Sequence, residues 1–381
     1  MIDTVVVGGG PAGSRTAALL ARDHDVLVLE EHETSGVPMQ CAGLISDDVI
    51  RMSGVSPDVL NTLYGAEVVF PDGTSVIVRS KRPKARAVDR SDLDSKMAAA
   101  AMDAGAEFSY SDRCSKVVFG GDSVSVKSTK AERSCRCIVG ADGHSSMVSA
   151  SLGDNQPKEY LRGIQADVRV ELDNQDLFRI HLGSEYAPGF FTWEIPCGEF
   201  TRAGLCTSWS AGPPNDYLKH LLRSNGGEDR IIRRYCGKIP VGGRRTMYGD
   251  RCLLIGDAAC HVKPVSGGGL HPAFKAAPIL ADVLTDALAS DDLSAKTLSS
   301  YEKRCRSDFV GELNKGMMLR RMFVRLSDDD LIHAGRYASR DDVRAILDEI
   351  DLDHPSTVVR EMFRRPAAAV SAVPLLLRCL F

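Results

Sequence analysis

The apolar positions at the start of the chain follow two rhythms in turn. Residues 4–7 form a short β-branched run, Gly8-Gly9-Gly10-Pro11-Ala12-Gly13 interrupts it, and Ala17, Ala18, Leu19 and Leu20 sit in a helical stretch. A second apolar run at residues 26–29 ends at Glu30, so the opening predicts strand, glycine turn, helix, strand. Residues 66–70 and 74–79 flank Pro71-Asp72-Gly73, a hairpin signal. Residues 91–104 predict a helix with its alanines, Met97 and Met102 inside and Gly105 at its stop. Runs at 117–119 and 124–126 surround Gly120-Gly121 as a second hairpin, and residues 135–139 predict a buried strand leading into Gly140-Ala141-Asp142-Gly143.

The middle of the chain changes character. Ile164, Ala166, Val168 and Val170 alternate with polar residues, as in a half-buried strand, and 178–182, 190–195 and 202–208 continue in that style. Strands with few helices between them predict an antiparallel sheet with one face free to cover something. Residues 251–255 return to a buried strand, followed by a glycine-rich turn and a helix to about Leu288, and the remainder is mostly helical in pattern. The expected architecture is α/β: a Rossmann-like nucleotide-binding domain, discontinuous over 1–60, 86–152 and 245–290, carries an inserted antiparallel β-sheet substrate domain over 61–85 and 153–244. A helical C-terminal part covers 291–381.

Composition narrows the functional classes. At 381 residues the chain exceeds one ordinary core, and 44% hydrophobic with 26% charged residues is the balance of a globular protein. A net charge of -4 argues against a nucleic-acid partner. Met1 to Asp3 lead straight into a strand, without a signal peptide, and no apolar stretch reaches the roughly 18–20 residues of a membrane span. The 11 cysteines are scattered and lack paired CxxC knuckles, which favours buried thiols in a reducing cytoplasm over disulfides or a metal site.

The first chemical signal is Gly8-x-Gly10-x-x-Gly13. Gly8 permits the tight turn, Gly10 lets backbone approach a pyrophosphate, and Gly13 lets the helix pack close to the strand with its amides aimed at phosphate. Glu30, at the end of the second strand, can accept ribose hydroxyls. This turn alone does not separate FAD from NAD. Gly256-Asp257-Ala258-Ala259 after a strand and Gly267-Gly268-Gly269 before a helix make that separation. An acid at a strand end suits ribityl hydroxyls, and a helix N-terminus suits negative charge on a reduced flavin ring. The expected cofactor is FAD.

In that order, the fingerprint, Gly140-Ala141-Asp142-Gly143 with Ser145, and Gly256-Asp257 resemble the FAD fold of p-hydroxybenzoate hydroxylase and its relatives. Within that group, residues 26–30 and Gly36-Val37-Pro38-Met39-Gln40-Cys41-Ala42-Gly43-Leu44-Ile45-Ser46 resemble the geranylgeranyl reductase family, the archaeal digeranylgeranylglycerophospholipid reductases above all. The family's YxWxFP motif has a counterpart in Phe191-x-Trp193-x-Ile195-Pro196, and its GDAAG-to-GGGI stretch in Gly256 through Leu270 with Lys263-Pro264. The chain departs from the family at Phe191, Ile195 and Cys260, and Ala276-Ala277-Pro278 stands where Ser-Gly is common, which predicts a kink in that helix.

The resemblance implies FAD contacts at Gly13, Glu30, Cys41, Ala42, Arg90, Asp257, Gly269 and Leu270, with Cys114 lending backbone to the adenine. It places Cys41 beside the isoalloxazine ring as a proton-relaying thiol, the alternative being a small buried hydrophobe. His261 and His271 flank the flavin turn, as proton donors or as satisfied turn residues. Phe191, Trp193 and Pro196 are the expected walls of an apolar substrate slot. The implied reaction is reduction of isolated C=C bonds in a polyprenyl chain, with a prenyl lipid as substrate and ferredoxin, a deazaflavin or NAD(P)H as electron donor. A lipid substrate implies peripheral contact with the inner face of the membrane, for which residues 316–326, Arg364-Arg365 and the apolar tail 366–381 are candidates. The rivals are an aromatic hydroxylase or halogenase on the same scaffold and a flavin-bearing electron carrier.

Overall fold

The computed structural model describes residues 1–153, 155–348 and Asp353. Its first layer is an eight-stranded sheet. Along one path the order is Tyr248–Gly249, Cys252–Leu254, Glu132–Gly140, Ile2–Val7, Val26–Leu29 and Glu107–Ser109, with Val124–Ser128 added antiparallel to Glu132–Gly140 and Cys114–Phe119 antiparallel to Val124–Ser128. The central pairings are parallel, as between Ile2–Val7 and both of its neighbours. Such strands are covered on both faces and therefore read as continuous apolar runs. Val5, Val6, Ile138, Leu253 and Leu254 pack against Ala17 and Leu20 of helix Pro11–Leu20 and against Ala276, Leu280 and Leu284 of helix Leu270–Ala289. Each valine, leucine or isoleucine among them contributes roughly 1.5–3 kcal/mol by leaving water. Helix Leu270–Ala289 passes through Pro278 as one element.

The second layer is a seven-stranded sheet in the order Ile231–Val241, Glu159–Val168, Thr201–Ser208, Thr192–Pro196, Leu177–His181, Gly65–Val69, Ser75–Arg79. One face is sealed by helix Asn215–Ser224, whose Leu218, Leu221 and Leu222 pack on Ala166, Val168, Ala203 and Leu205. The expectation of an antiparallel sheet needs one correction: Leu177–His181 pairs in parallel with Gly65–Val69. The hairpin of residues 65–79 arrives from a distant part of the chain, so no tight turn imposes an antiparallel sense on that seam. A small sheet of Leu44–Ile45, Ala85–Val88 and Val59–Leu63 completes the β structure.

Two elements of the second layer were not legible as expectations. Ile231–Val241 lies at the sheet edge, where Arg233, Arg234 and Lys238 face solvent and dilute the apolar alternation. Helix Asn215–Ser224 is amphipathic but short. In helix Arg90–Asp103, Met97 is 2% exposed as expected, whereas Met102 is 43% exposed. Five positions apart, the two side chains point to different sides of the helix. Helices Ala295–Cys305, Gly311–Phe323, Asp328–Ala338 and Asp341–Leu347, with a π-helical turn at Arg306–Val310, form the C-terminal part. Residues 364–381, including the Arg364-Arg365 pair and the apolar tail, lie outside the described residues.

Candidate functional site

The strand Ile2–Val7 delivers the glycine turn to the carboxyl edge of the parallel sheet. Gly8 has φ +103°, and a Cβ there would lie 2.3 Å from the Ala141 carbonyl oxygen. A Cβ on Gly13 would come within 1.9 Å of the Gly8 carbonyl oxygen, so helix and strand end touch through backbone alone. Gly10 differs: a Cβ there would meet nothing within 4 Å. It caps helix Pro11–Leu20 and faces open space, leaving room for a ligand against the helix N-terminus. The Gly9 amide donates to Oε2 of buried Glu30 at 2.7 Å, and Oε1 accepts from the His32 amide at 3.0 Å. Oε1 also takes the His32 ring Nδ1 at 2.7 Å, so Oε2 is the oxygen that keeps lone-pair capacity for a further donor.

The second part of the edge is the turn Gly256–Ala259 and the N-terminus of helix Leu270–Ala289. Among the described residues, the Asp257 carboxylate accepts no hydrogen bond. Burial pushes its pKa up to about 6, against the pull of Arg244 and Arg90. A Cβ on Gly269 would stand 3.1 Å from Asp257 Oδ1, so the helix start and the acid are immediate neighbours. Leu270 packs on Ile45, Val88, Leu93 and Phe274. Cys260 holds a left-handed backbone, φ 59° and ψ 38°, and its Sγ accepts from the Gly243 amide at 3.2 Å. A glycine is favoured in that conformation, which accounts for the glycine common at this place in the family. His261 is enclosed against the Phe309 ring, centroids 5.2 Å apart, and burial lowers its pKa to about 3. It is neutral near pH 7 and has no acidic proton to give. His271 is buried near Asp353, which pairs with Lys263 at 2.8 Å. A cavity of about 290 Å³ opens behind these residues, between Lys263-Pro264, Lys275 and the start of helix Gly311–Phe323.

Facing both parts is the segment around Cys41. Gly36 and Gly43 have φ +85° and +71°, and a Cβ on either would meet backbone or side-chain atoms within 3.0 Å, which fixes the path of the loop. The half-buried Cys41 thiol accepts from the Gly43 amide at 3.4 Å. Its own carbonyl accepts from Gln165 Nε2 at 2.9 Å, and the next carbonyl, Ala42, accepts from Arg202 Nη1 at 3.1 Å. Arg202 is paired with Asp167 at 2.8 Å, both are buried, and the Tyr235 hydroxyl donates to Asp167 at 3.1 Å. Arg90, 7% exposed, holds Asp94 through both oxygens at 2.9 and 3.1 Å and lies beside the Cys41 thiol.

Gln165, Gly204 and Trp193 are in register on neighbouring strands and share the face that meets the Cys41 loop. Phe191 lies edge-on to Trp193, centroids 6.5 Å apart, and stacks on Phe190 at 4.3 Å. The Trp193 indole N–H and Gln165 Oε1 are buried without a partner among the described residues. Pro196 was grouped with Phe191 and Trp193 as a slot wall, but the pleat separates them. It shares the face of Glu194, and its carbonyl accepts from Asn61 at 2.9 Å.

The FAD binding domain family matches residues 1–181. A digeranylgeranylglycerophospholipid reductase of Methanothrix thermoacetophila is 31% identical over 353 residues, spanning 86% of this chain and 89% of the relative. The digeranylgeranylglycerophospholipid reductase 2 of Methanothermobacter thermautotrophicus is 30% identical, over 86% and 89% of the two chains. The chain belongs to the digeranylgeranylglycerophospholipid reductase family. It is a FAD-dependent oxidoreductase. A geranylgeranyl bacteriochlorophyll reductase-like protein from Thermoplasma acidophilum shares the fold, with TM-score 0.84 and 22% identity over 98% of this chain and 99% of that one. A halogenase in complex with phloroglucinol and FAD is more distant, with TM-score 0.69 and 16% identity over 94% and 85%.

In this reductase, the structure gathers Gly8, Gly10, Gly13 and Glu30 at one edge, and Cys41, Ala42, Arg90, Asp257, Gly269 and Leu270 around a second locus. Cys114 opens strand Cys114–Phe119 close to the end that presents Glu30, and burial raises its thiol pKa to about 11. Asp142 serves its own helix: both oxygens are taken by Ser146 and by the Met147 and Val148 amides. Gln165, Asp167, Arg202 and Tyr235 were not anticipated. The available signal was a charged or amide side chain at alternate positions of otherwise apolar strands, as in Gln165-Ala166-Asp167-Val168. In residues 316–326, Arg320 is 2% exposed, paired with Glu159 and donating to the Gly189 carbonyl. Its charge therefore faces inward, away from any interface. No helix among the described residues is long and apolar enough to cross a membrane.

Proposed function

We propose that the protein saturates isolated C=C bonds in geranylgeranyl chains of archaeal-type ether lipids or their precursors. The kinship to the digeranylgeranylglycerophospholipid reductases supports the substrate class. The observation that carries the site is the junction at the Cys41 loop: buried Arg90 lies at the thiol, and the sheet face that bears Trp193 grips the Cys41 and Ala42 carbonyls through Gln165 and Arg202.

Two features suit FAD. The open space at Gly10 accepts a pyrophosphate, and the unpartnered Asp257 carboxylate accepts ribityl hydroxyl donors. Gly8, Gly13 and Glu30 would hold the adenosine half, with Cys114 along its flank. Arg90, Asp257, Gly269, Leu270, Cys41 and Ala42 would hold the other half. When bound and reduced, FAD supplies the hydride for one alkene carbon. An isolated alkene has no conjugated carbonyl to polarise, so the other carbon needs a proton at the same time. Cys41 holds that proton at Sγ. As the new C–H bond forms, the S–H bond breaks, and the nearby Arg90 guanidinium stabilises the thiolate until solvent returns the proton. Gln165 and Arg202 fix the thiol by gripping the Cys41 and Ala42 carbonyls. Phe191 and Trp193 wall the slot and exclude water, which keeps the chain within reach of the thiol.

The electron donor in this proposal is ferredoxin, a deazaflavin or NAD(P)H, and the lipid requires peripheral membrane contact. We divide the work among 1–60, 86–152 and 245–290 for FAD, 61–85 and 153–244 for substrate, and the helical remainder. The test is an anaerobic assay of the reduced, FAD-loaded protein with geranylgeranyl lipid, read by product mass. Addition of a hydrogen pair per reduced bond supports the reading. Insertion of oxygen into an aromatic substrate in air, with no lipid product, replaces it with a hydroxylase.

A further inference from the structure

The edge strand Ile231–Val241 carries an unusual surface. Arg230, Arg233, Arg234, Lys238, Arg245 and, from the neighbouring segment, Lys158 are all exposed. None of them forms an ion pair with a described residue, unlike Arg223 of the helix packed on this sheet, which holds Glu228 at 2.9 Å. This segregation occurs in a protein of net charge -4. Basic side chains alone are the usual protection of a sheet edge against pairing. Here, however, the same edge also exposes apolar groups. Trp209 is 46% exposed, its ring capped by Arg162 at 3.9 Å and approached by Lys238 at 5.3 Å, and Ile232 is 42% exposed. Ile232 is pushed outward by a register shift that places Ile231 opposite Val168 and Arg233 opposite Asp167. A bulge that exposes isoleucine does nothing to protect an edge.

We propose that this rim is a face that meets an anionic lipid surface. The proposal rests on the lipid substrate of the preceding section. Cations beside a protruding tryptophan and isoleucine match the chemistry of an interface: phosphate headgroups at the level of the arginines, the ring and Ile232 at the acyl boundary. The rim is also next to the candidate site. Tyr235 of the same strand bonds Asp167 beneath the Cys41 loop, and a Cβ on Gly237 would lie 3.9 Å from Gln40 Oε1. Of the three arginines in residues 316–326, Arg320 points inward to Glu159, while Arg321 and Arg325 are exposed.

The experiment is co-sedimentation of the full FAD-loaded chain with phosphatidylglycerol vesicles and with phosphatidylcholine vesicles, at low and high salt. Preferential binding to the anionic vesicles that weakens with salt is expected. Arg233→Ala/Arg234→Ala should bind about 25-fold more weakly, at roughly fivefold per cation removed, and still reduce detergent-dispersed lipid. Bromine-labelled lipid should quench wild-type tryptophan emission and leave Trp209→Phe, which retains only Trp193, unquenched. Equal vesicle binding by the double variant, or quenching that survives in Trp209→Phe, overturns the proposal. So does a double variant that binds vesicles normally but is reduced slowly by an acidic donor protein, since the rim then docks a protein. Vesicle binding without reduction of any prenyl lipid removes the functional reading and leaves the surface standing. Reduction of dispersed lipid without vesicle binding does the reverse.

Discussion

At the Gly8–Gly13 turn, backbone makes the site. Two glycines are required because carbonyl oxygens stand where a Cβ would be, and one because a ligand needs the room. Across the molecule, the sheet face behind Cys41 is made by side chains. Gln165, Asp167, Arg202 and Tyr235 come from three strands and converge on two carbonyls of one loop. Failure at the turn is steric and local. Failure at the sheet face leaves a charge buried without its partner, and it transmits to Cys41 through the loop.

The largest effect should therefore fall on the sheet face. Arg202→Met leaves Asp167 buried and unpaired, and unfolding in urea should show a loss of about 3–5 kcal/mol. Adding Asp167→Leu should restore most of it, because the pair then leaves together. Gly13→Ala should cost about 3 kcal/mol and abolish FAD retention on gel filtration, since its new methyl collides with backbone. Gly10→Ala sharpens the contrast: the fold and melting temperature should be kept, while FAD binds about tenfold more weakly.

The legible half of the molecule is the half built on such backbone rules. Parallel strands covered on both faces appear as apolar runs, and a glycine turn with an acid at the next strand end is a short-range pattern, so Gly8 through Glu30 could be placed from sequence. Asp257 and Gly269 were legible for the same reason. The Asp167–Arg202 pair was not, because its partners are far apart in the chain and each looks like an ordinary outward charge on an alternating strand. Pro196 shows the same weakness at shorter range. The motif that contains Phe191, Trp193 and Pro196 is contiguous in sequence, but the pleat sends its last member to the other face.

Asp257 links the two regions and should respond to pH. Its folded pKa of about 6 lies above its ordinary value of 3.8, so the folded chain binds more protons between these values. Stability of the FAD-free protein should fall as pH rises through that window. Asp257→Asn should be neutral near pH 4 and stabilising by about 1–2 kcal/mol at about pH 7.5, after allowance for partial solvent access. The smallest effect belongs to Cys260→Gly. Relief of its left-handed backbone should stabilise by about 1 kcal/mol, partly offset by loss of the Gly243 contact to sulfur.

The most direct measurement is a single anaerobic turnover. Reduced protein would be mixed with geranylgeranyl lipid and flavin absorbance followed, for the wild type and for Cys41→Ala. Wild-type flavin should reoxidise at the expense of lipid double bonds, and Cys41→Ala should do so about a hundredfold more slowly while reacting with oxygen at the same rate. Wild-type flavin that stays reduced in the presence of the lipid would contradict the assignment of a prenyl reductase. An unchanged lipid-dependent rate in Cys41→Ala would remove the thiol from the chemistry.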